Sequence, residues 1–337
     1  MSNRSVLIAV TVVLGAVIVA TGQESHQEWQ LRETGASDMV QFRVERWKPG
    51  SHSTHGSDVP LSRFHGLSPD VFDRGGHVQF EYVVDTGSLL CQGEFSGRRG
   101  SGSFQFRPNP QFTSQLEALG YSAPTDEQLF TMMMMDISLQ FARGLRDAGL
   151  HPTTGELIDL RIHGVSAEYV RDTQAAGYRN LSVQDYIDMR IHGVDTDFIR
   201  DLRAAGYNLS SKAVIDLRIH GVDSEYMREL KAYGLQPRAE DMVQLRIHGV
   251  SPEFLKGLKD AGYTNLQVGE ITDLRIHGVD TEFIQDTRAL GYHFTPKELT
   301  ELRIHGVDGA YLRRLRDSGL KNLTAAQITN LRIHGVD

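Results

Sequence analysis

The sequence predicts an α-rich repeat protein: an α-solenoid of about eight two-helix units preceded by a small antiparallel β-domain. Three observations carry this. The hexapeptide Leu-Arg-Ile-His-Gly-Val recurs at nearly constant spacing, glycines stand wherever a helix has to stop, and the stretch ahead of the repeats alternates apolar with polar residues. Copies of the hexapeptide begin at Leu160, Met189 (Met replacing Leu), Leu217, Leu245, Leu274, Leu302 and Leu331, a period of 28 or 29 residues. A fixed period in that range marks units that bury their apolar faces on one another.

At the N-terminus, Arg4 precedes an apolar run from Val6 to Ala20, and the small residues Ala20-Thr21-Gly22 follow. That order describes a secretory signal peptide over residues 1–22. Left uncleaved it becomes an N-terminal membrane anchor, with membrane contact only through residues 5–22. The run is short against the ~20 residues a membrane span needs. The expected localisation is therefore export, to the periplasm or cell envelope. Acidic residues outnumber basic ones 43 to 35, for a net charge of −8, and no Lys/Arg block stands out. Nucleic acid is not an expected partner.

Residues 23–108 read as the β-domain. Val40-Gln41-Phe42-Arg43-Val44, Val78-Gln79-Phe80-Glu81-Tyr82-Val83 and Phe104-Gln105-Phe106 have the period of two that strands require. Asp85-Thr86-Gly87-Ser88 and Gly97 to Gly102 read as the connections between strands. Arg63-Phe64-His65-Gly66-Leu67-Ser68-Pro69-Asp70 echoes the stop and start signals of the repeats, so one short helix is expected to interrupt the strands. The only cysteine, Cys91, has no partner for an internal disulfide and is expected to be a small buried residue. The expected structural job of this domain is to cover the apolar end of the repeat array.

Residues 109–337 read as the repeat domain. The first helix of a unit runs from about Glu156 to His163 and is stopped by Gly164; Leu160 and Val165 then occupy the C3 and C″ positions of a Schellman stop. A second helix starts at once behind an N-cap at Ser166, Asp195, Asp223, Ser251, Asp280 or Asp308. It ends at Gly177, Gly206, Gly234, Gly262, Gly291 or Gly319. The next unit opens on its own cap, as in the capping box from Thr295 to Glu298. Longer units carry an extra Asn (Asn180, Asn265, Asn322) in the connecting turn, so length changes spare the helices. Helices of about ten residues are too short to stand alone and need stacked neighbours. Two further units precede the first clear hexapeptide. Met132–Met135 with Asp136-Ile137 occupies the place of one, and Asn109-Pro110-Gln111-Phe112 reproduces the start of a second helix. The methionines fit a decayed terminal unit in which Met fills core gaps better than they fit a copper site.

Chemistry-bearing motifs are few. There is no His-Glu-x-x-His, no Gly-x-Ser-x-Gly, no phosphate-binding glycine loop and no calcium-loop spacing. The residues that repeat are structural candidates. The stop glycines are Gly164, Gly193, Gly221, Gly249, Gly278, Gly306 and Gly335. The repeat histidines are His163, His192, His220, His248, His277, His305 and His334. Neighbouring units place equivalent atoms on the order of 10 Å apart or more, whereas zinc nitrogens must lie about 2 Å from one ion. These histidines are therefore expected to bond the last helix carbonyls, favoured by the dipole. The repeat arginines Arg161, Arg190, Arg218, Arg246, Arg275, Arg303 and Arg332 project between two core positions, so each stem is expected to be buried at the stacking interface. A ladder joining units, through the acids early in the second helix or through carbonyls, is the favoured account; a basic stripe for an anionic partner is the other. No cofactor, metal or catalytic residue is expected. An enzyme would have to use His52, His55, His65 or His77 of the β-domain, where loop composition already explains the histidines.

Taken together, Leu-Arg-Ile-His-Gly-Val, then Ser/Asp-x-Glu-Phe/Tyr and Ala-Gly-Tyr, resembles the tandem repeats that follow the membrane-embedded peptidase in bacterial sensors of the beta-lactam-sensing metallopeptidase type. The resemblance spans roughly residues 38 to 337 and includes Gly-Ser-Gly-Ser-Phe-Gln-Phe leading into Asn-Pro-Gln-Phe. This sequence departs from those proteins in having one apolar segment and no zinc motif. The resemblance implies a bacterial, extracytoplasmic recognition or scaffold module without the enzyme, or a regulatory component working with a separate membrane metallopeptidase. A protein partner is expected, and a homodimer through the C-terminal helix is one form of it, because Ile328 and Leu331 lie where no further helix would cover them.

Overall fold

A computed structural model describes residues 26–34, 38–48 and 50–336. The signal-peptide segment lies outside the described residues. The fold is an antiparallel seven-stranded sheet followed by a serial array of helices. It divides into two compact units: the first runs through Asp172 and includes Ser182–Ile187, and the second comprises Thr173–Leu181 and Asp188–Asp337.

The strands of the first unit are β1 (Gln27–Glu33), β2 (Met39–Lys48), β3 (Ser51–Pro60), β4 (Phe64–His65), β5 (Gly76–Val84), β6 (Gly87–Ser96) and β7 (Arg99–Pro108). Their order across the sheet is β3-β2-β1-β7-β6-β5-β4. The sheet curls round its own core, since strands that are not neighbours meet face to face. Phe42 of β2 lies 5.0 Å from both Phe64 and Tyr82, and Trp29 of β1 lies 4.9 Å from Phe80 of β5. The short helix α1 (Val71–Arg74) follows Ser68-Pro69-Asp70 and buries Val71 and Phe72 against this core. Cys91 is buried there as well, and burial pushes its thiol up, away from reactivity.

Two loop readings are overturned. His52 and His55 lie on β3, His65 on β4 and His77 on β5, so none of the four sits in a connection. β3 is an edge strand paired only to β2, and among its apolar residues only Val59 is buried, so it needs no apolar alternation. The glycines from Gly97 to Gly102 are also mostly strand. Gly100 and Gly102 lie within β7, where the ring of Phe95 and the backbone of Gln92 and Gly93 fill the space of a side chain.

Sixteen helices make up the array among the described residues, eight first helices and eight second helices. They are α2 (Pro110–Ala118), α3 (Asp126–Met134), α4 (Leu139–Asp147), α5 (Thr154–Ile162), α6 (Ala167–Ala175), α7 (Val183–Ile191), α8 (Thr196–Ala204), α9 (Ser211–Ile219), α10 (Ser224–Tyr233), α11 (Ala239–Ile247), α12 (Pro252–Asp260), α13 (Val268–Ile276), α14 (Thr281–Ala289), α15 (Pro296–Ile304), α16 (Gly309–Asp317) and α17 (Ala325–Ile333). First helices pack on first helices, α9 through α17 in turn, and second helices on second helices, α8 through α16. Each hexapeptide closes its helix as a Schellman stop. Gly164 has φ 70°, its N–H donates to Arg161 O, and Val165 N–H donates to Leu160 O at 2.8 Å. The leucine and valine of the hexapeptide go to the core: Leu217, Leu245, Leu274 and Leu302 are fully buried, as are Val222, Val250, Val279 and Val307.

The degenerate first copy obeys the same geometry. Asp136 replaces the glycine at φ 52°, and Ile137 N–H still donates to Met132 O. A non-glycine residue is strained there, and its carboxylate is held by a two-bond fork from Arg63 of the β-domain at 2.9 and 3.2 Å. Met132 and Met133 are fully buried, Met133 in the β-domain core together with Phe130. Helix α3 thus lies on the sheet. Glu127 of α3 meets Lys48 at 2.7 Å and Arg46 at 3.4 Å, and Arg46 in turn covers the Phe130 ring. The hydrogen bond from Lys48 holds the Glu127 carboxyl below its ordinary 4.5. A carboxylate depressed on folding stabilises the folded state above that value, and the contribution is lost as pH falls through the lowered one. Glu127→Gln is expected to flatten the pH dependence of stability below about pH 4.5, read by urea unfolding at several pH values. An unchanged slope would show that the pair contributes nothing to docking of α3.

Candidate functional site: an exposed isoleucine row

The hexapeptide assigns each of its residues a different surrounding. Leu and Val enter the core, and Gly makes the left-handed stop. The arginine reaches to the preceding unit and lays its guanidinium over the aromatic residue of that unit's second helix. The pairs are Arg161 on Phe141, Arg218 on Phe198, Arg246 on Tyr226, Arg275 on Phe254, Arg303 on Phe283 and Arg332 on Tyr311, all within 4.7–5.5 Å of the ring centre. Several also donate Nε–H to a carbonyl of the preceding stop: Arg218 to Gly193, Arg303 to Gly278 and Arg161 to Met135. Of the two expected kinds of partner, acids early in the second helix or carbonyls, these three bonds use carbonyls. Arg190 is half-buried at the end of α7.

A second ladder escaped the sequence reading. Arg146, Arg203 and Arg288, in the last turn of second helices, cover Tyr121, Tyr178 and Tyr263 of the preceding turn. Arg146 and Arg288 also donate to the carbonyls of Gly120 and Ala261. The signal was present in the Gly-Tyr dipeptides and in the arginine that stands three residues before the helix-ending glycines Gly149, Gly206 and Gly291.

The repeat histidines are C-caps. His220, His277 and His334 hold Nδ1 at 2.8–2.9 Å from the carbonyl four residues back, and His305 meets Glu301 at 3.0 Å. His163 and His192 cap α5 and α7 on the surface, and His248 caps α11 half-buried. The stop glycines Gly193, Gly221, Gly249, Gly278, Gly306 and Gly335 all keep φ near that of Gly164. Among the described residues, no group of three or more His, Cys, Asp or Glu side chains is arranged to hold a metal ion. Of the β-domain histidines, His52 stacks on Trp47 and meets Glu45 at 2.8 Å, while His55 is largely buried beside Phe130. Burial holds His55 below the usual imidazole value.

The isoleucine remains, and it is the residue the sequence reading left without a role. Ile191, Ile219, Ile247, Ile276, Ile304 and Ile333 are each 53–60 % exposed. Among the described residues the other exposed large apolar side chains are Leu320 and Val336, and both are less exposed, at 36 and 39 %. Each isoleucine is the last residue of its helix, and beyond it the Schellman turn carries the chain inward, so no neighbour covers it. Isolated exposed apolar residues are ordinary; six at equivalent positions of successive units are a surface feature. Three residues before each stands Asp188, Asp216, Gln244, Asp273, Glu301 or Asn330, and one residue after stands the histidine. Helical spacing puts these side chains on one face. The face therefore presents three parallel rows, mostly acidic, apolar, and imidazole.

Compared with known proteins, the chain matches no family model and no curated protein.

Proposed function

We propose that the chain is an exported, non-enzymatic protein-binding or scaffold module of the bacterial cell envelope, and that it binds through the isoleucine row. The observation that carries this reading is the row itself. An array that buries every hexapeptide leucine it can reach leaves the adjacent isoleucine uncovered in six successive units, a cost in exposed apolar surface that a bound protein would remove. The two arginine ladders support it by stiffening the spacing between rungs, since a preorganised surface loses less freedom on binding. The likeness of the hexapeptide units to those appended to sensor metallopeptidases favours a second reading, a regulatory component that works with a separate membrane metallopeptidase.

The test is capture from cell envelopes with the full chain and with an Ile219→Lys/Ile276→Lys variant. A lysine in a last helical turn is favoured by the dipole, so the variant is expected to keep its helical circular dichroism and melting temperature while losing its partners. Identical sets of captured proteins would remove the row from the binding surface.

A further inference from the structure

We propose that the occupant of the isoleucine row is basic: a segment of another protein that carries apolar side chains and Lys or Arg side chains together. The inference rests on the reading that the row binds protein; it adds the chemistry of the partner. Two observations select a cationic one.

The first is the charge beside the row. Asp216, Asp273 and Glu301 stand three residues before Ile219, Ile276 and Ile304, and all three acids are exposed. Past the stop glycines, Glu225, Glu253 and Glu282 lie at the start of the next helices and are exposed as well. No lysine falls in the ten residues that begin at Asp216, Gln244, Asp273 or Glu301. Each of these stretches has one arginine, Arg218, Arg246, Arg275 or Arg303, and it lies half-buried over an aromatic ring of the preceding unit. The isoleucines are therefore bordered by exposed acids, while the cations are drawn into the ladder.

The second is that folding does not call for the acids of the row. Glu225, Glu253 and Glu282 lie in first turns, where the helix dipole favours a negative charge. Asp216, Asp273 and Glu301 lie in the last turns of α9, α13 and α15, where the dipole opposes one. Asp216 and Glu301 offset part of this by meeting the C-cap histidines His220 and His305 at 3.4 and 3.0 Å, which are exposed i, i+4 pairs of the weak kind. An unfavourable charge repeated at equivalent positions, each beside an exposed apolar residue, is the trade of stability for binding.

The size of the partner follows from the packing. First helices from α9 to α17 contact one another in turn, at the ~8–10 Å of packed helix pairs, so a segment crossing three rungs spans about 20 Å. It meets three isoleucines and the acids beside them. In such a contact the isoleucines act as anchors, and the acids steer the partner and fix its register.

The experiment is fluorescence anisotropy of the full chain with two labelled amphipathic peptides of equal length, one of Leu and Lys and one of Leu and Glu. The Leu/Lys peptide is expected to bind in the micromolar range, and about tenfold more weakly when NaCl is raised from about 50 to about 500 mM. The Leu/Glu peptide is expected not to bind. Ile219→Ala/Ile276→Ala is expected to weaken binding of the Leu/Lys peptide about tenfold, as for the loss of two anchors. Asp216→Asn/Asp273→Asn is expected to weaken it about as much and to flatten the salt dependence, with an unchanged or higher melting temperature. Equal binding of the two peptides overturns the proposal, as does Leu/Lys binding that either pair of substitutions leaves intact. A lowered melting temperature of the Asn variant assigns the acids to folding and overturns it too. So does sedimentation equilibrium that finds a wild-type dimer dissociated by Ile219→Ala/Ile276→Ala, because a second copy is then the occupant. If neither peptide binds while the lysine variant still loses its envelope partners, the basic partner is discarded and the binding surface stands.

Discussion

Gly102→Ala is expected to cost about 3 kcal/mol or more, an overpacking change at the severe end of its class. The added methyl would stand 2.0 Å from the Gln92 carbonyl oxygen and 2.6 Å from the Gly93 α-carbon. Both are backbone atoms of the paired strand, so no rotamer change can make room. Trp29 lies opposite Gly102 in register, and its indole N–H donates to that same Gln92 carbonyl. The strain therefore falls on the centre of the β-domain core, and urea unfolding followed by tryptophan fluorescence reads it directly. Gly56→Ala is the control: a methyl there finds only ordinary contacts at 3.7 Å, and a change within about 0.5 kcal/mol is expected. Comparable stability for both variants would mean that β6 and β7 do not approach as closely as described.

Gly249→Val is expected to destabilise by about 3 kcal/mol, because a β-branched residue is forced into the left-handed region. Gly249 has φ 70°, and the two bonds of the stop, Gly249 N–H to Arg246 O and Val250 N–H to Leu245 O, depend on it. The new side chain would also crowd the guanidinium of Arg275, 3.4 Å from the position of its first carbon. Damage at one stop thus reaches the clip between two units. The neighbouring His248→Gln removes only a cap and a dipole contact and is expected to cost about 1 kcal/mol or less. Thermal melts of the two variants make the comparison; equal losses would assign the histidine a role beyond capping.

The repeat region was legible because its punctuation is local. Ser, Thr or Asp oxygens start helices and left-handed glycines end them, and both signals depend on a few adjacent residues. The same logic carried through the degenerate copy, where Asp136 takes the glycine's conformation. The β-domain was legible only where one face of a strand is buried, as in β2 and β5. The polar edge strand β3 and the glycines of β7 had no such pattern, because what shapes them is a distant strand. In the candidate site, the isoleucine hid beside core residues. At 100° per residue, the apolar positions of a first helix (Leu157, Ile158, Leu160 and Ile162 in one unit) spread over about 200°, twice the width of an ordinary buried stripe. That excess was the available signal. Ile328, by contrast, read as uncovered and is fully buried, with Leu331 half-buried; α15 and the core beneath it already enclose that side of α17.

The place of β1 in the sheet also bears on how the chain is made. β1 sits between β2 and β7, and its Trp29 bonds Gln92, 63 residues further along. At a synthesis rate of about 5–20 residues per second, that partner emerges several seconds later. During this interval the first hairpin, β1 with β2, has an open edge able to pair wrongly. The helical units face no such delay, since the arginine clips reach back only about one unit, 25 residues from Arg218 to Gly193 for example. Each unit can settle on its predecessor as it appears. The stage of biogenesis most in need of a chaperone is therefore the beginning, before β7 has closed the sheet.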